Sequence, residues 1–289
     1  MLAYNHESFL KEAIDGVLKQ QTEYTFELII GEDCSTDKTR EIALAYQRRY
    51  PERIRVIISD KNVGMHENSL RVKESVKGRY IAFCEGDDYW TSPEKLQRQI
   101  SWLENNADYA LSFHNAFVRY DGLKGKPKKF NPNRPLNITV RDFIEKDWMV
   151  PTASLIVRRA VLPAFPAGFA DFPSGDLATS ILVGAAGKIH YLKECMSVYR
   201  KQPGGLSQRV TTSAEAGIHY WQRVNAMLSS LDVALGSRYH DSFERRILRN
   251  NRTMDYIRLK YDGRISLRIL WNSVCYQLED KKMRLAKYL

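Results

Sequence analysis

The chain has 289 residues, of which 44% are hydrophobic, and a formal net charge of +10. That size and apolar content suit one large domain, or one domain with an appendage, and no run of about 18 apolar residues is present, so no membrane-spanning helix is expected. The start Met1-Leu2-Ala3-Tyr4 lacks the regions of a signal peptide, and the cysteines (Cys34, Cys84, Cys195, Cys275) form no CxxC pair, which argues against a zinc site or a disulfide framework and favours the cytoplasm.

In chain order, Phe9, Leu10, Ala13, Ile14, Val17 and Leu18 fall at helical spacing. Phe26–Gly31 is an apolar run that ends in Glu32-Asp33. Ser35-Thr36-Asp37 offers caps for a helix through Tyr50, which Pro51 terminates. Ile54–Ser59 is the next strand, Glu67–Lys77 a helix and Tyr80–Cys84 a strand. Strands alternating with helices at this interval predict parallel crossover units, in which ligands sit beyond the carboxyl ends of the strands. Asp121–Asn137 reads as a mobile loop rich in Gly, Pro, Lys and Asn. A short helix at Thr139–Lys146, a strand at Ala153–Val157, a helix at Asp176–Ala186 and strands at His190–Leu192 and Ser197–Arg200 follow. Helices are expected over Thr212–Leu231, Ser237–Lys260 and Ile265–Lys287.

The most informative stretch is Phe83-Cys84-Glu85-Gly86-Asp87-Asp88-Tyr89-Trp90. Three acids close an apolar run, and unpaired charge near a core is costly. A hard divalent cation would relieve that cost, since Mg²⁺ and Mn²⁺ take oxygen ligands from a carboxylate or two plus substrate phosphates. The competing reading is an acidic turn that caps the helix beginning near Pro93. Both acidic clusters, Glu32-Asp33 and Glu85/Asp87/Asp88, fall at carboxyl ends of predicted strands, which favours a ligand site. The last 52 residues carry 13 Lys and Arg against 6 Asp and Glu, which suggests an anionic partner. No aromatic-basic interleaving points to nucleic acid.

Five segments together resemble a family 2 glycosyltransferase of the GT-A fold, bacterial in type: Ala3–Glu7; Glu27–Asp37; Asn62-Val63-Gly64; Gly78–Asp88; and Gly175-Asp176 with Tyr199-Arg200. The resemblance covers about residues 1–205. It implies an α/β fold with a Rossmann-like, mostly parallel central sheet flanked by helices, forming a nucleotide-sugar-binding and catalytic domain at 1–205, with a basic helical extension at 206–289. Tyr4, Asn5 and Glu7 would border the nucleotide, Asp33 would bond its base or ribose, and Asn62 and Gly64 would approach it. Asp87 and Asp88 match the DXD motif as ligands of Mn²⁺ or Mg²⁺, with Asp87 also at the ribose; Glu85 stands where many relatives carry Asp. Asp176 matches the general base, with Asp171 as rival and a plain helix cap as the alternative. Arg200 would neutralise the leaving diphosphate. Many relatives place a His after this Tyr-Arg pair; here the position holds Gln202.

Relatives also carry several more apolar residues ahead of Tyr4, so the expectation is a nearly absent first strand, and either a longer native protein or a compromised nucleotide site. At the other end Leu267, Leu270, Trp271, Val274, Cys275 and Leu278 form one stripe beside Arg264 and Arg268. A basic amphipathic helix of this kind suits the inner face of a membrane, near lipid-linked acceptors; packing on the catalytic domain or a homodimer contact fits equally. The implied activity is an inverting, metal-dependent hexosyl transfer from a nucleotide-sugar donor, a UDP-sugar first, to a hydroxyl of a glycan or lipid-linked acceptor in cell-surface polysaccharide synthesis. The rivals are a non-catalytic sugar-nucleotide or glycan-binding protein of the same fold and a nucleotidyltransferase, though the Gly-rich phosphate loop of the latter has no counterpart in Ala3-Tyr4-Asn5-His6.

Overall fold

The computed structural model describes residues 1–120, 126–132, 134–146, 148–202 and 213–262. The chain divides into two compact units, Met1–Pro203 and Gly204–Leu289. The first begins with β1 (Leu2–Ala3), α1 (Leu10–Leu18), β2 (Leu28–Glu32), α2 (Thr39–Arg49), β3 (Ile54–Ile58), α3 (Met65–Ser75) and β4 (Tyr80–Ala82). β1, β2 and β3 form a parallel three-stranded sheet. β1 is present but short, pairing Leu2 with Gly31 and Ala3 with Glu32. The helices form for the reasons their sequences give. On α1, Leu10, Ile14 and Val17 share one buried face, each contributing about 1.5–3 kcal/mol on burial. Asp37 Oδ1 accepts the Thr39 N–H at 2.9 Å where α2 begins.

After β4 the topology changes. β5 (Tyr89–Trp90), α4 (Lys95–Asn105), β6 (Tyr109–Tyr120), β7 (Lys128–Lys129), α5 (Val140–Glu145), β8 (Ile156–Arg158), α6 (Gly175–Gly184) and β9 (Lys188–Lys201) complete the unit. These five strands and β4 form a second, six-stranded sheet in the order β4-β8-β6-β9-β5, with β7 on β6. Only β6 and β9 pair in parallel; the other pairs are antiparallel. Parallel pairing is thus confined to the βα crossover segments and to one long ribbon.

Several sequence expectations are corrected. The two strands expected at 190–192 and 197–200 are one 14-residue strand, β9, interrupted by bulges rather than by a turn. Tyr109–Tyr120, whose mixed polar and apolar sequence carries no clear periodicity, is the partner of β9 along nearly its whole length. The expected loop at 121–137 contains β7 and a buried Asn131. Cys34, Cys84 and Cys195 are free thiols.

In the second unit, α7 (Ala214–Ala234) and α8 (His240–Asp262) make a helical hairpin. The Asp232 carboxylate, bonded to His240 Nδ1 at 2.6 Å, ties the turn. The third helix expected there, with its basic stripe and Cys275, lies outside the described residues. Among the described residues no helix is long and apolar enough to cross a membrane.

Candidate active site

The ends of β1 and β2 build one wall. Asp33 is 2% exposed; its Oδ1 accepts the Val63 N–H at 2.8 Å and its Oδ2 the Gly64 N–H at 2.9 Å. Asn62 Nδ2 donates to the Asp33 carbonyl at 3.2 Å. One carboxylate thus holds the whole Asn62–Gly64 loop, and Gly64 supplies the φ of +86° that the loop needs before α3. Each of its oxygens keeps further acceptor capacity toward a ligand. Beyond β1, Asn5 Oδ1 accepts the Thr36 N–H and Glu7 Oε2 the Lys38 N–H; both side chains tie this turn to the start of α2. Tyr4 is exposed on the rim, at 43%.

The acidic turn forms the floor. Gly86 N–H bonds the Leu2 carbonyl at 2.9 Å, and a Cβ on Gly86 would lie 2.7 Å from His6 Nδ1 and 2.9 Å from that carbonyl oxygen. Asp88 is buried; its Oδ1 accepts the Arg200 backbone N–H at 2.9 Å. Asp87 Oδ2 accepts from the Gln202 amide at 3.1 Å. Burial, then the negative charge of Asp87, raises the Asp88 carboxyl well above its ordinary range. Burial likewise raises Glu85 to about 7, with Asp87 and Asp176 adding to it against the Met1 ammonium. His6 is pushed down by burial, which outweighs Asp87 and Asp37, and its Nδ1 is buried without a partner among the described residues.

This donor set suits a hard divalent cation: crowded carboxylate oxygens, raised by burial and by one another, with no Lys or Arg side chain ion-paired to them among the described residues. No three potential ligand side chains converge on one point among the described residues. A cation here would therefore be held by Asp88 and Asp87, with substrate phosphates completing its shell. Arg200 differs from expectation in its side chain. Its guanidinium pairs with Glu12 on α1 and stacks between Phe9, at 5.0 Å, and Tyr89, at 4.7 Å. What it gives the acidic turn is its backbone N–H.

Asp176 forms the third wall, in the first turn of α6. Oδ2 accepts from Thr152 Oγ1 at 2.7 Å; Oδ1 accepts from Ser174 Oγ at 2.6 Å and from the Leu177 N–H at 2.8 Å. The preceding Gly175 abuts His66 of α3, since a Cβ there would meet His66 Nδ1 at 3.3 Å. A series of contacts links these residues. Asp33 holds Gly64, α3 follows with His66, His66 meets Gly175, Asp176 acts electrostatically on Glu85, and Glu85 adjoins Asp87 and Asp88. Asp33 and the acidic turn both bond β1, Asp33 through the Ala3 carbonyl and Gly86 through that of Leu2, Asp176 acts on the same turn through Glu85, and Asn5 and Glu7 brace the start of α2. Thr152, Ser174, His66 and Glu12 were not anticipated. Of these only Ser174 left a legible signal, as a capping residue ahead of the α6 pattern.

Comparison with known proteins gives the family and the fold. Residues 1–162 match the family model "Glycosyl transferase family 2". An uncharacterized protein of Mycobacterium tuberculosis is 34% identical over 242 residues, covering 81% of this chain and 66% of its own length, so this chain spans just under two thirds of that relative. The putative teichuronic acid biosynthesis glycosyltransferase TuaG of Bacillus subtilis is 26% identical, over 74% of this chain and 82% of its own. Two solved structures share the fold, which is GT-A. S. aureus TarS 1-349 in complex with UDP-GlcNAc has a TM-score of 0.58 at 15% identity, covering 94% of this chain and 76% of that one. The mannosyltransferase PcManGT of Pyrobaculum calidifontis, in complex with GDP-Man and Mn²⁺, has a TM-score of 0.55 at 14% identity, covering 99% and 79%.

Proposed function

Because this chain belongs to glycosyl transferase family 2, we propose that it moves a sugar, with inversion, from a nucleotide-sugar donor to a hydroxyl of a glycan or lipid-linked acceptor in cell-surface polysaccharide synthesis. A UDP-sugar is the first donor to test, and the catalytic unit is residues 1–205. The observation that supports this reading is the gathering of acids around β1: the loop-holding Asp33 and the turn with Asp87 and Asp88 both bond that strand, and the oriented Asp176 carboxylate acts on the turn through Glu85. The teichuronic acid relative supports the polysaccharide context, and the nucleotide-sugar complexes of the fold neighbours support the donor class.

In this mechanism Tyr4 and the Asp33–Gly64 loop receive the nucleoside. Asp87 and Asp88 would hold Mn²⁺ or Mg²⁺, and the cation would supply positive charge against the departing nucleoside diphosphate. Thr152 and Ser174 fix the Asp176 carboxylate, and Asp176 takes the proton of the acceptor hydroxyl as that oxygen attacks the anomeric carbon. A positioned base of this kind contributes roughly 10²–10⁴-fold. The test is a panel of nucleotide sugars, each with and without Mn²⁺, followed by turnover of Asp176→Asn. The variant should bind donor as the parent does and lose roughly 10²-fold or more in turnover. Unchanged turnover removes Asp176 from this role, and donor binding without release of a nucleoside diphosphate marks a binding protein instead.

A further inference from the structure

A second cavity, of about 420 Å³, lies within the first unit, lined by Asn115, Lys129, Asn131, Arg134, Tyr191 and Lys193 with two prolines. Three of these residues are cations and none is an acid. Lys129 and Lys193 have no ion-pair partner among the described residues. The acids that act on its residues are already committed: Asp142, felt by Arg134, to Lys146 and Thr139, and Glu194, felt by Tyr191, to Arg98 at 2.7 Å.

The cavity is built rather than incidental. In β9, Lys193 and Glu194 form a bulge, the extra residues between the pairs His114–Leu192 and Asn115–Cys195. A bulge re-aims side chains. Here it sends Glu194 to Arg98 and leaves Lys193 on the cavity wall. The frame is rigid and buried. Asn115 Oδ1 accepts the Asn131 N–H at 2.9 Å and its Nδ2 donates to the Asn131 carbonyl at 2.7 Å. Asn131 Oδ1 accepts from Arg134 Nε at 3.0 Å, which orients the guanidinium. Burial works against the Arg134 charge, a cost that an anion in the cavity would offset. Asn131 Nδ2 also bonds the Met149 carbonyl at 2.8 Å. Met149 is three residues ahead of Thr152, the partner of Asp176, and three residues span at most about 10 Å.

We propose that this cavity is an anion subsite on the acceptor side, taking an oxyanion group of the acceptor: a phosphate ester, or the carboxylate of an acidic sugar. Arg134 offers a fork and the two lysines offer mobile point charges, a combination that suits tetrahedral and planar oxyanions alike. The assignment of the ligand to an acceptor rests on the proposed glycosyl transfer; the anion site itself does not.

The test is calorimetric titration of the full chain with methyl phosphate and, separately, with methyl glucuronide, each after the donor cleft has been filled with UDP and Mn²⁺. At least one probe should bind. The double variant Lys129→Gln/Lys193→Gln should weaken it about tenfold or more, with UDP affinity and melting temperature unchanged because both lysines are exposed. Arg134→Gln should weaken the same probe. Binding of methyl phosphate alone supports a phosphate-bearing acceptor, and of methyl glucuronide alone an acidic glycan. Failure of both probes, or equal binding by parent and double variant, overturns the proposal. Failure of UDP to bind in the first step counts against the glycosyl-transfer reading and leaves the anion test standing.

Discussion

Lys95 opens α4 wholly buried, its ammonium without a hydrogen-bond partner among the described residues and 4.2 Å from the centre of the Trp90 ring. Burial lowers its pKa from 10.5 to about 7. Between those values the unfolded chain holds a proton that the folded chain has released. Stability therefore rises with pH across that window, and the full cost is present below about 7. A gap of about 3.5 pH units at 1.36 kcal/mol each comes to about 5 kcal/mol. Lys95→Met keeps the aliphatic stem, places a thioether against Trp90 and removes the charge. For a unit of this size, 1 kcal/mol moves the melting temperature by roughly 2–4 °C. The variant should therefore melt roughly 10–20 °C higher at pH 6, with the gain shrinking toward pH 10. Scanning calorimetry at pH 6, 8 and 10 measures this. A melting temperature at pH 6 equal to or below that of the parent, or a gain that is the same at every pH, would refute the reasoning.

Two other substitutions probe the cleft. Gly86→Ala drives a methyl group into the Leu2 carbonyl and His6, so the acidic turn must shift. About 1–3 kcal/mol of stability should be lost, with donor affinity falling about tenfold or more; melting and donor titration read both, and parent-like values in each would mean the turn tolerates the methyl. Asp33→Asn replaces one acceptor with an N–H that faces the Val63 or Gly64 amide. It should cost about 1–3 kcal/mol and speed hydrogen exchange at those two amides, whereas unchanged exchange there would show that the loop does not depend on the carboxylate.

The chain as far as β3 is legible because each element there is local. The α1 stripe, the apolar runs of β2 and β3 and the Asp37 cap carry their own signals, and the acids at the strand ends followed from the alternation. Past β4 the sheet is closed by long-range pairs. β6 mixes Ser112, His114 and Asn115 into an apolar strand, and the alternation fails because both faces of that stretch are buried. β9 read as two strands because Lys193-Glu194-Cys195 looks like a turn, yet in the fold it is a bulge. The acids of the turn stand out as a pattern and Asp176 follows from the resemblance, but the Asp176 partners Thr152 and Ser174 lie outside the helix pattern and have common side chains. Arg200 shows the limit most plainly. Its position beside the acidic turn followed from sequence, whereas the direction of its side chain is set by Phe9, Glu12 and Tyr89, which periodicity alone cannot place.

The β6–β9 ribbon carries the cationic cavity near Asn115 and Cys195, and the acidic turn four register steps further on, where Arg119 lies opposite Arg200. At about 3.3 Å per residue those steps cover roughly 13 Å, along strands that cannot stretch. The sheet is then a ruler. A chain that anchors its negative group in one place and offers its growing end in the other must match that span, so the fold itself would select acceptors by length.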